Sequence, residues 1–491
     1  MPASYRLYRR TLSADCLTPP AVFARLLEDG DCFLLESAEG GERWGRYSIL
    51  AISPACRAIS DGADTRLRYR DGSEGVFEGD ILEWLRQQVI AQPAPDADDL
   101  PFAGGAVGYF GYQLVSHFEG IPADLPDPVG APESAFLLVD RFIVFDNLSG
   151  TLTCCARLPE NATEEAASVL DVMEQSLYKG HGAAAMNLDA ADSSHVSPEA
   201  QTTQADFEAA VLKAKEYILA GDIFQVVLSQ RFSKQLDCSP FDIYRAVRYI
   251  NPSPYLFYLH IGETVLVGSS PEILVRKDGD KAIVRPIAGT RPRGKDAAQD
   301  AALADELLHD TKELAEHVML VDLGRNDLGR VCDYGSVQLT ESMIIERYSH
   351  VMHIVSQVEG TLRGDADAID LLAATFPAGT VSGAPKVRAM QIIHELEPVA
   401  RGPYAGCVGY LGYGGERMDT AIAIRTAVIH GGKVHIQAGA GIVADSVPER
   451  EHIECVNKAT AMFRAVALAE AQTQRSAMNS AAEDSQDGQR P

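Results

Sequence analysis

Basic residues are scarce in this chain. Its 491 residues include 43 Lys plus Arg against 69 Asp plus Glu, a formal net charge of −26. That balance argues against nucleic acid as a partner, because neutralising a phosphate backbone needs clustered positive charge. A small anionic substrate is still allowed: a few Arg, Lys and backbone N–H groups in a pocket, or a bound divalent cation, outweigh a distant surface field. Long apolar runs are missing too. No stretch approaches the about 18 uninterrupted apolar residues of a membrane span, and MPASYRLYRRTLSADC lacks the apolar core of an export signal. Neither export nor membrane insertion is expected, which points to a cytoplasmic protein. The nine cysteines (Cys16, Cys32, Cys56, Cys154, Cys155, Cys238, Cys332, Cys407 and Cys455) form no C-x-x-C pair and no zinc-like spacing with histidine. Reduced thiols are their simplest state.

Repeats and nucleotide loops are also absent. RGPYAGCVGYLGYGG is glycine-rich, but it does not sit in a strand-to-helix turn with an acidic residue downstream, so it gives no dinucleotide site. AGTVSGAPK lacks the G-x-x-x-x-G-K-[ST] spacing of an ATP loop.

The length exceeds what one core usually covers, so two or three domains are expected. The clearest break is Lys179 to Gln204, whose Gly, Ala, Ser, Asp and Gln content offers no repeating apolar face and reads as an exposed linker. Residues 1–178 before it carry β-rich runs such as CFLLES, RYSILAIS and AFLLVDRFIVFD, with helical pattern in ILEWLRQQVI and EEAASVLDVMEQSLY, an α+β region. After it, residues 205–470 start with an amphipathic helix, DFEAAVLKAKEYILAG, and the strand IFQVVLSQRF. TVLVGSS, KAIVRPIAG and KVHIQAGAGIV add further strands, and this residue-level reading is a larger α/β unit. Residues 471–491, rich in Gln, Ser, Ala and Asp, are expected to be disordered.

Two acidic stretches stand out. In ADELLHDTKELAEHV, Glu313 and Glu316 share a helix face at i,i+3. In DSVPEREHIECVNKA, Ser446 and Glu449 fit a capping box with Pro448 in the first turn, so that Glu451, Glu454 and Lys458 line one face. Composition alone favours solvated acidic helices; carboxylates on two helices meeting across a pocket to hold a hard cation is the alternative. On IFQVVLSQRF, Gln225 shares a face with Ile223, Val227 and Ser229, and a buried Gln needs partners. Glu272 in SSPE, Thr290 in PIAGTRPRG and His353 in HVMHIVS are further polar groups interrupting strand-like or loop segments.

Taken together, SSPE, PIAGTRPRG, ELLHDTKELAEHVMLVDLGRND, HVMHIVS, FPAGTVSGAPK, RGPYAG, DTAIAIR, QAGAGIV and PEREHIE resemble the chorismate-utilising enzymes, over essentially all of Asp206 to about Ala469. The resemblance implies an α+β fold of two large β-sheets packed as a sandwich and flanked by helices. Members that add water resemble one another in carrying a lysine base where this chain has Gln225, and Gln cannot act as that base. Aminodeoxychorismate synthases carry a nucleophilic lysine in PIKGT where this chain has Ala288. Both departures favour ammonia as nucleophile, as in the anthranilate synthases; an aminodeoxychorismate synthase or a catalytically silent tryptophan sensor are the alternatives.

By this resemblance Glu316 and Glu454 are the main Mg²⁺ ligands, with Glu313 and Glu451 acting through water. Gly439, Ala440, Gly441 and Lys458 hold the ring carboxylate of chorismate, and Tyr404 and Arg425 its enolpyruvyl carboxylate. Glu272 is the acid for the departing hydroxyl, and His353 and Thr290 support elimination of pyruvate. LLES and NPSPY resemble a tryptophan feedback site, which implies Leu35, Glu36, Ser37, Arg46, Asn251, Pro252, Ser253, Pro254, Tyr255, Leu256, Val408 and Tyr410. The chain lacks the G-x-C-x-G elbow of the matching glutaminases, and Cys407 in GCVGY does not fit it, so a separate glutamine amidotransferase subunit in a hetero-oligomer is implied.

Overall fold

Strand-forming runs from both halves of the chain are pooled into two large sheets. The computed structural model describes residues 4–27, 30–37, 45–97, 99–179, 182–188, 198–348 and 351–487, with backbone alone from 476 onward. The first sheet runs in the order Tyr5–Ser13, Thr151–Pro159, Arg141–Asp146, Tyr47–Ile52, Cys32–Glu36, Tyr255–Ile261, Thr264–Ser270, Thr426–His430, Lys433–Ile442, Gln225–Gln235 and Glu199–Ala200. The second runs Ile287–Pro292, Val351–Thr361, Lys281–Val284, Ile273–Asp278, Arg417–Ile422, Cys407–Gly412, Gly105–Phe110, Ser134–Val139, Cys56–Ser60, Thr65–Tyr69 and Glu74–Phe77.

Neighbouring strands are antiparallel in both sheets. The residue-level α/β reading of the second half is therefore corrected to α+β. Strands there alternate with helices in sequence, but the helices cap the sheets instead of crossing over between parallel neighbours. The pattern break at residues 179–204 does not divide the sheets: Cys32–Glu36 pairs with Tyr255–Ile261, and Gly105–Phe110 with Cys407–Gly412.

Period-two alternation builds the layers. Phe33, Ile49, Phe142, Val144, Phe257 and Leu259 of the first sheet pack against Val107, Tyr109, Leu137 and Val408 of the second in one buried cluster between the sheets. Their strand neighbours Leu34, Leu50, Ile143, Leu256 and Tyr258 face outward onto Phe23, Leu170, Tyr244 and Phe463, from helices Pro19–Leu26, Thr163–Ser176, Pro240–Ile250 and Pro448–Asp487. Each such aromatic or aliphatic side chain removed from water contributes about 1.5–3 kcal/mol.

Local chemistry sets the element ends near the site. The acidic run is two helices, Ala297–His309 and Thr311–Gly329, broken at Asp310, whose side chain caps the second by accepting from Lys312 N (3.0 Å) and Glu313 N (3.2 Å). The last helix starts at Pro448 as read, but not through the anticipated capping box: Ser446 Oγ accepts from Val443 N (3.1 Å), and the Val447 carbonyl receives Glu451 N–H. That helix continues to Asp487, so the tail expected to lack structure is helical that far, in keeping with its Ala, Gln and Glu content. Within the expected linker, residues 182–188 are mostly exposed, Asn187 N–H bonds Gln472 Oε1 (3.2 Å), and Glu199–Ala200 joins the first sheet; residues 180–181 and 189–197 lie outside the described residues. Among the described residues no helix is long and apolar enough to cross a membrane.

Candidate active site

A cavity of ≈ 670 Å³ opens where the strand ends around Gln225, Thr290, His353 and Gly439 meet, beneath helices Thr311–Gly329 and Pro448–Asp487. The structure brings to its wall Gln225, Glu272, Thr290, His353, Glu313, Glu316, Tyr404, Arg425, Gly439, Gly441, Glu451, Glu454 and Lys458. Of the residues singled out for catalysis, substrate and metal, Ala440 alone is placed elsewhere. Strand alternation turns its methyl into the core beneath, where it is fully buried.

Glu272 follows the strand Thr264–Ser270 and is pinned through its backbone, its carbonyl accepting from Ile422 N (3.0 Å) and its N–H donating to Ser270 Oγ (3.3 Å). Burial pushes its carboxyl up to about 8, against a hydrogen bond from Thr380 Oγ1 (2.9 Å) and the Arg425 charge. A carboxylic acid that is neutral near pH 7 can donate a proton.

Thr290 and His353 are register partners beside a bulge at Gly289. Gly289 has φ +65, and a Cβ there would lie 2.9 Å from Leu307 Cδ1, so glycine is required. His353 Nδ1 is 2.9 Å from the Gly289 carbonyl and 3.1 Å from Thr290 Oγ1. A carbonyl only accepts, so Nδ1 carries the proton; burial lowers the imidazole pKa and keeps the ring neutral, leaving the Nε2 lone pair as a base.

Arg425 holds φ +50, a conformation costly for a side chain of its size. Tyr404 is buried against the guanidinium of Arg401, which pairs with Glu397 (2.6 Å) and donates to the Val381 and Val227 carbonyls (2.7 Å each). Gly439 and Gly441 make room for neighbouring side chains. A Cβ at Gly439 would come within 2.8 Å of Tyr404 Oη, and one at Gly441 within 2.5 Å of Gln225 Nε2.

The acidic side chains do not converge on one point. Glu313 meets Arg291 (3.4 Å), while Lys458 Nζ bonds Glu454 (2.7 Å) and the Gly439 carbonyl (2.9 Å). Among the described residues no group of three or more His, Cys, Asp or Glu is gathered closely enough to hold a metal. Burial raises the pKa of Glu316, followed by the charge of Glu313, with Glu454 adding to it; a hydrogen bond from Gln225 and the charge of Lys312 oppose the rise. Mg²⁺ takes only one or two carboxylates, with water and substrate oxygens completing its shell. Glu316 and Glu454, on two helices lining one cavity and repelling each other, fit that requirement.

Lys312, Thr380, Gln437, Asp445 and Arg450 also line the cavity and were not singled out from the sequence. Thr380 lies in FPAGTVSGAPK, which counted towards the family resemblance and failed to match an ATP loop, but which gave Thr380 itself no role. No periodicity marks a residue whose partner is 108 positions away.

A second cavity of ≈ 440 Å³ lies between the sheets. Leu35, Glu36, Ser37, Arg46, Pro254, Tyr255, Leu256, Val408 and Tyr410 line it, with Arg276 and Asp419, which pair at 2.6 Å. Glu36 is already engaged by Tyr244 Oη and by Arg248 Nε (3.1 Å). Asn251, Pro252 and Ser253 are not on its wall. Instead Asn251 Nδ2 donates to Ser269 Oγ (3.3 Å), Ser269 Oγ donates to the Asn251 carbonyl, and Ser253 Oγ donates to the Ser270 carbonyl. Ser269 N–H also meets the Arg425 carbonyl (3.1 Å). This turn thus ties the second cavity to the backbone that carries Glu272 and Arg425.

The sequence profile of the chorismate binding enzymes matches residues 30–464. Anthranilate synthase component 1 of Pseudomonas aeruginosa is 49% identical over 470 residues, 93% of this chain and 94% of that protein. The Thermus thermophilus protein of the same name is 48% identical over 477 residues, 95% and 99% of the two chains. Among solved structures, anthranilate synthase component I from Streptococcus pneumoniae superposes with a TM-score of 0.77 at 36% identity, covering 92% of this chain and 98% of that one. The menaquinone-specific isochorismate synthase of Escherichia coli, at 21% identity and a TM-score of 0.70 over 94% and 95%, shares the fold. With similarity along nearly its whole length, this chain belongs to the chorismate binding enzyme family and, within it, to the anthranilate synthase component 1 proteins.

Proposed function

We propose that this chain aminates chorismate with ammonia and expels pyruvate to give anthranilate, using Mg²⁺. A separate glutamine amidotransferase subunit supplies the ammonia in a hetero-oligomer, and tryptophan inhibits. The observation that carries the reading is the makeup of the first cavity: a buried, neutral Glu272 faces the Arg425 charge, while Gln225 and Ala288 leave no lysine at the two positions where relatives place a base or a nucleophile. The incoming nucleophile then has to be a small molecule from outside.

Arg425 and Tyr404 hold the enolpyruvyl carboxylate, a charge-assisted contact that fixes the ring. Backbone around Gly439 and Gly441 approaches the ring carboxylate, because no Cβ intervenes there. Ammonia bonds to C2, the ring double bonds shift, and the C4–O bond breaks as Glu272 gives its proton to the departing hydroxyl, releasing water. The resulting Glu272 carboxylate takes up the extra proton of the ammonium group. His353 Nε2 then removes the C2 proton while the C3–O bond breaks; enolpyruvate leaves and is protonated to pyruvate, and the ring becomes aromatic. Glu316 and Glu454 would hold Mg²⁺, whose charge would neutralise the ring carboxylate.

Purified chain mixed with chorismate, Mg²⁺ and excess ammonium salt at mildly alkaline pH is expected to yield fluorescent anthranilate and equimolar pyruvate. A para-amino product, or no amination by folded protein, would overturn the reading. For inhibition, tryptophan would occupy the second cavity, and the turn Asn251–Pro254 would carry its effect to Glu272 and Arg425. Ser37→Ala should raise the tryptophan concentration for half-inhibition about tenfold, the worth of one hydrogen bond to a charged group, with kcat unchanged. Unaltered inhibition in this variant would remove Ser37 from the site.

A further inference from the structure

Thr380 belongs to the 3₁₀ turn Gly379–Val381, which touches the strand bearing Gln225 and is held from both sides. The Val381 carbonyl accepts from the buried Arg401, and the Ser382 carbonyl accepts from Val227 N (2.9 Å). From this fixed position the Thr380 hydroxyl donates to Glu272 Oε1 at 2.9 Å, and both side chains line the first cavity. A hydroxyl has a single hydrogen, and the oxygen receiving it serves as the acceptor of the neutral acid. The carboxyl proton then resides on Oε2.

We infer that Thr380 is a positioning residue for Glu272: its hydroxyl occupies Oε1 and leaves Oε2 to carry the proton delivered to the leaving hydroxyl. The inference rests on the reading of Glu272 as general acid. Charged groups stand on both sides of Glu272. Arg425 faces it from the cavity, while Arg285 and Asp327 share the small space behind it, where they pair with Glu341 (2.9 Å) and Lys386 (2.7 Å). With those two charges matched locally, burial raises the titration of the acid, and Thr380 and Arg425 oppose the rise. A donor to Oε1 favours the ionised form, so its loss moves the acid's titration upward.

The test uses the ammonia-dependent reaction of the full chain at constant free ammonia, with kcat/KM followed against pH for Thr380→Val, Thr380→Ser and Glu272→Gln. Thr380→Val should lower kcat about tenfold or more with little change in KM, and its alkaline limb should move up by about one pH unit. Thr380→Ser should restore both. A folded Thr380→Val enzyme whose limb stays in place, or a Ser variant as impaired as Val, overturns the positioning role. Near-normal turnover in Glu272→Gln overturns the general-acid reading itself, so the two failures are told apart.

Discussion

Glu272→Gln is expected to lower kcat by about 10²–10⁴-fold, the range for loss of a positioned general acid, at nearly unchanged KM. Gln keeps the shape of the side chain and can still meet Thr380 Oγ1, so the loss isolates the proton. The native enzyme carries a companion signature. As the proposed general acid Glu272 has to be protonated, and its carboxyl is pushed up to about 8, so the rate should fall as pH rises through that region. The same displacement acts on stability. The unfolded chain gives up this proton near 4.5, while the folded chain keeps it to about 8, so stability contributed by the neutral acid is lost as pH rises between those values. Glu272→Gln should therefore raise the thermal midpoint relative to the native chain more at pH 8 than at pH 5. A variant that is inactive yet shows no such difference would mean that Glu272 is ionised in the native fold.

Glu316→Gln should lower kcat/KM by at least about 100-fold and shift the Mg²⁺ dependence to much higher concentration, since even partners of metal ligands cost 10–100-fold when removed. The fold should tolerate the change. Glu316 is a partly buried carboxylate whose pKa is raised by burial and by Glu313, and a neutral amide relieves that repulsion while keeping a partner for Gln225. Titrating anthranilate formation with Mg²⁺ checks the prediction, with Glu454→Gln in parallel. An unaltered Mg²⁺ requirement in Glu316→Gln would remove it from the metal site. Loss of activity with a lowered unfolding midpoint would instead make it a structural residue.

Glu316 also shows why local spacing was insufficient. Glu313 and Glu316 at i,i+3 describe a solvated acidic helix equally well, and composition favours that reading. Only the opposing helix, more than a hundred residues later, makes them half of a cavity wall. The Ser446 capping box failed for a similar reason: the turn before Pro448 folds back so that Ser446 Oγ serves Val443, and the helix start passes to Val447. Asn251 and Ser253 stand next to lining residues in sequence, yet they turn to Ser269 and Ser270, which no pattern in NPSPY announces.

What the sequence determined by itself is the chemistry available and its family. Gln225 and Ala288 stand where relatives carry two lysines, Glu272 and His353 are polar groups available for proton transfer, and an ordered series of motifs from SSPE to PEREHIE marks the chorismate-utilising enzymes. Alternation along each strand also determined which residues could be buried together, as with Phe257 and Leu259 on one face and Leu256 and Tyr258 on the other. The tertiary structure alone decided that both halves of the chain share two antiparallel sheets, that Lys458 spends its charge on Glu454, and that Thr380 stands behind Glu272. The physical reason is range. Strand and helix patterns are written in neighbouring residues, whereas desolvation, ion pairing and hydrogen bonding at the site join side chains that only the packed sheets bring within a few ångströms of one another.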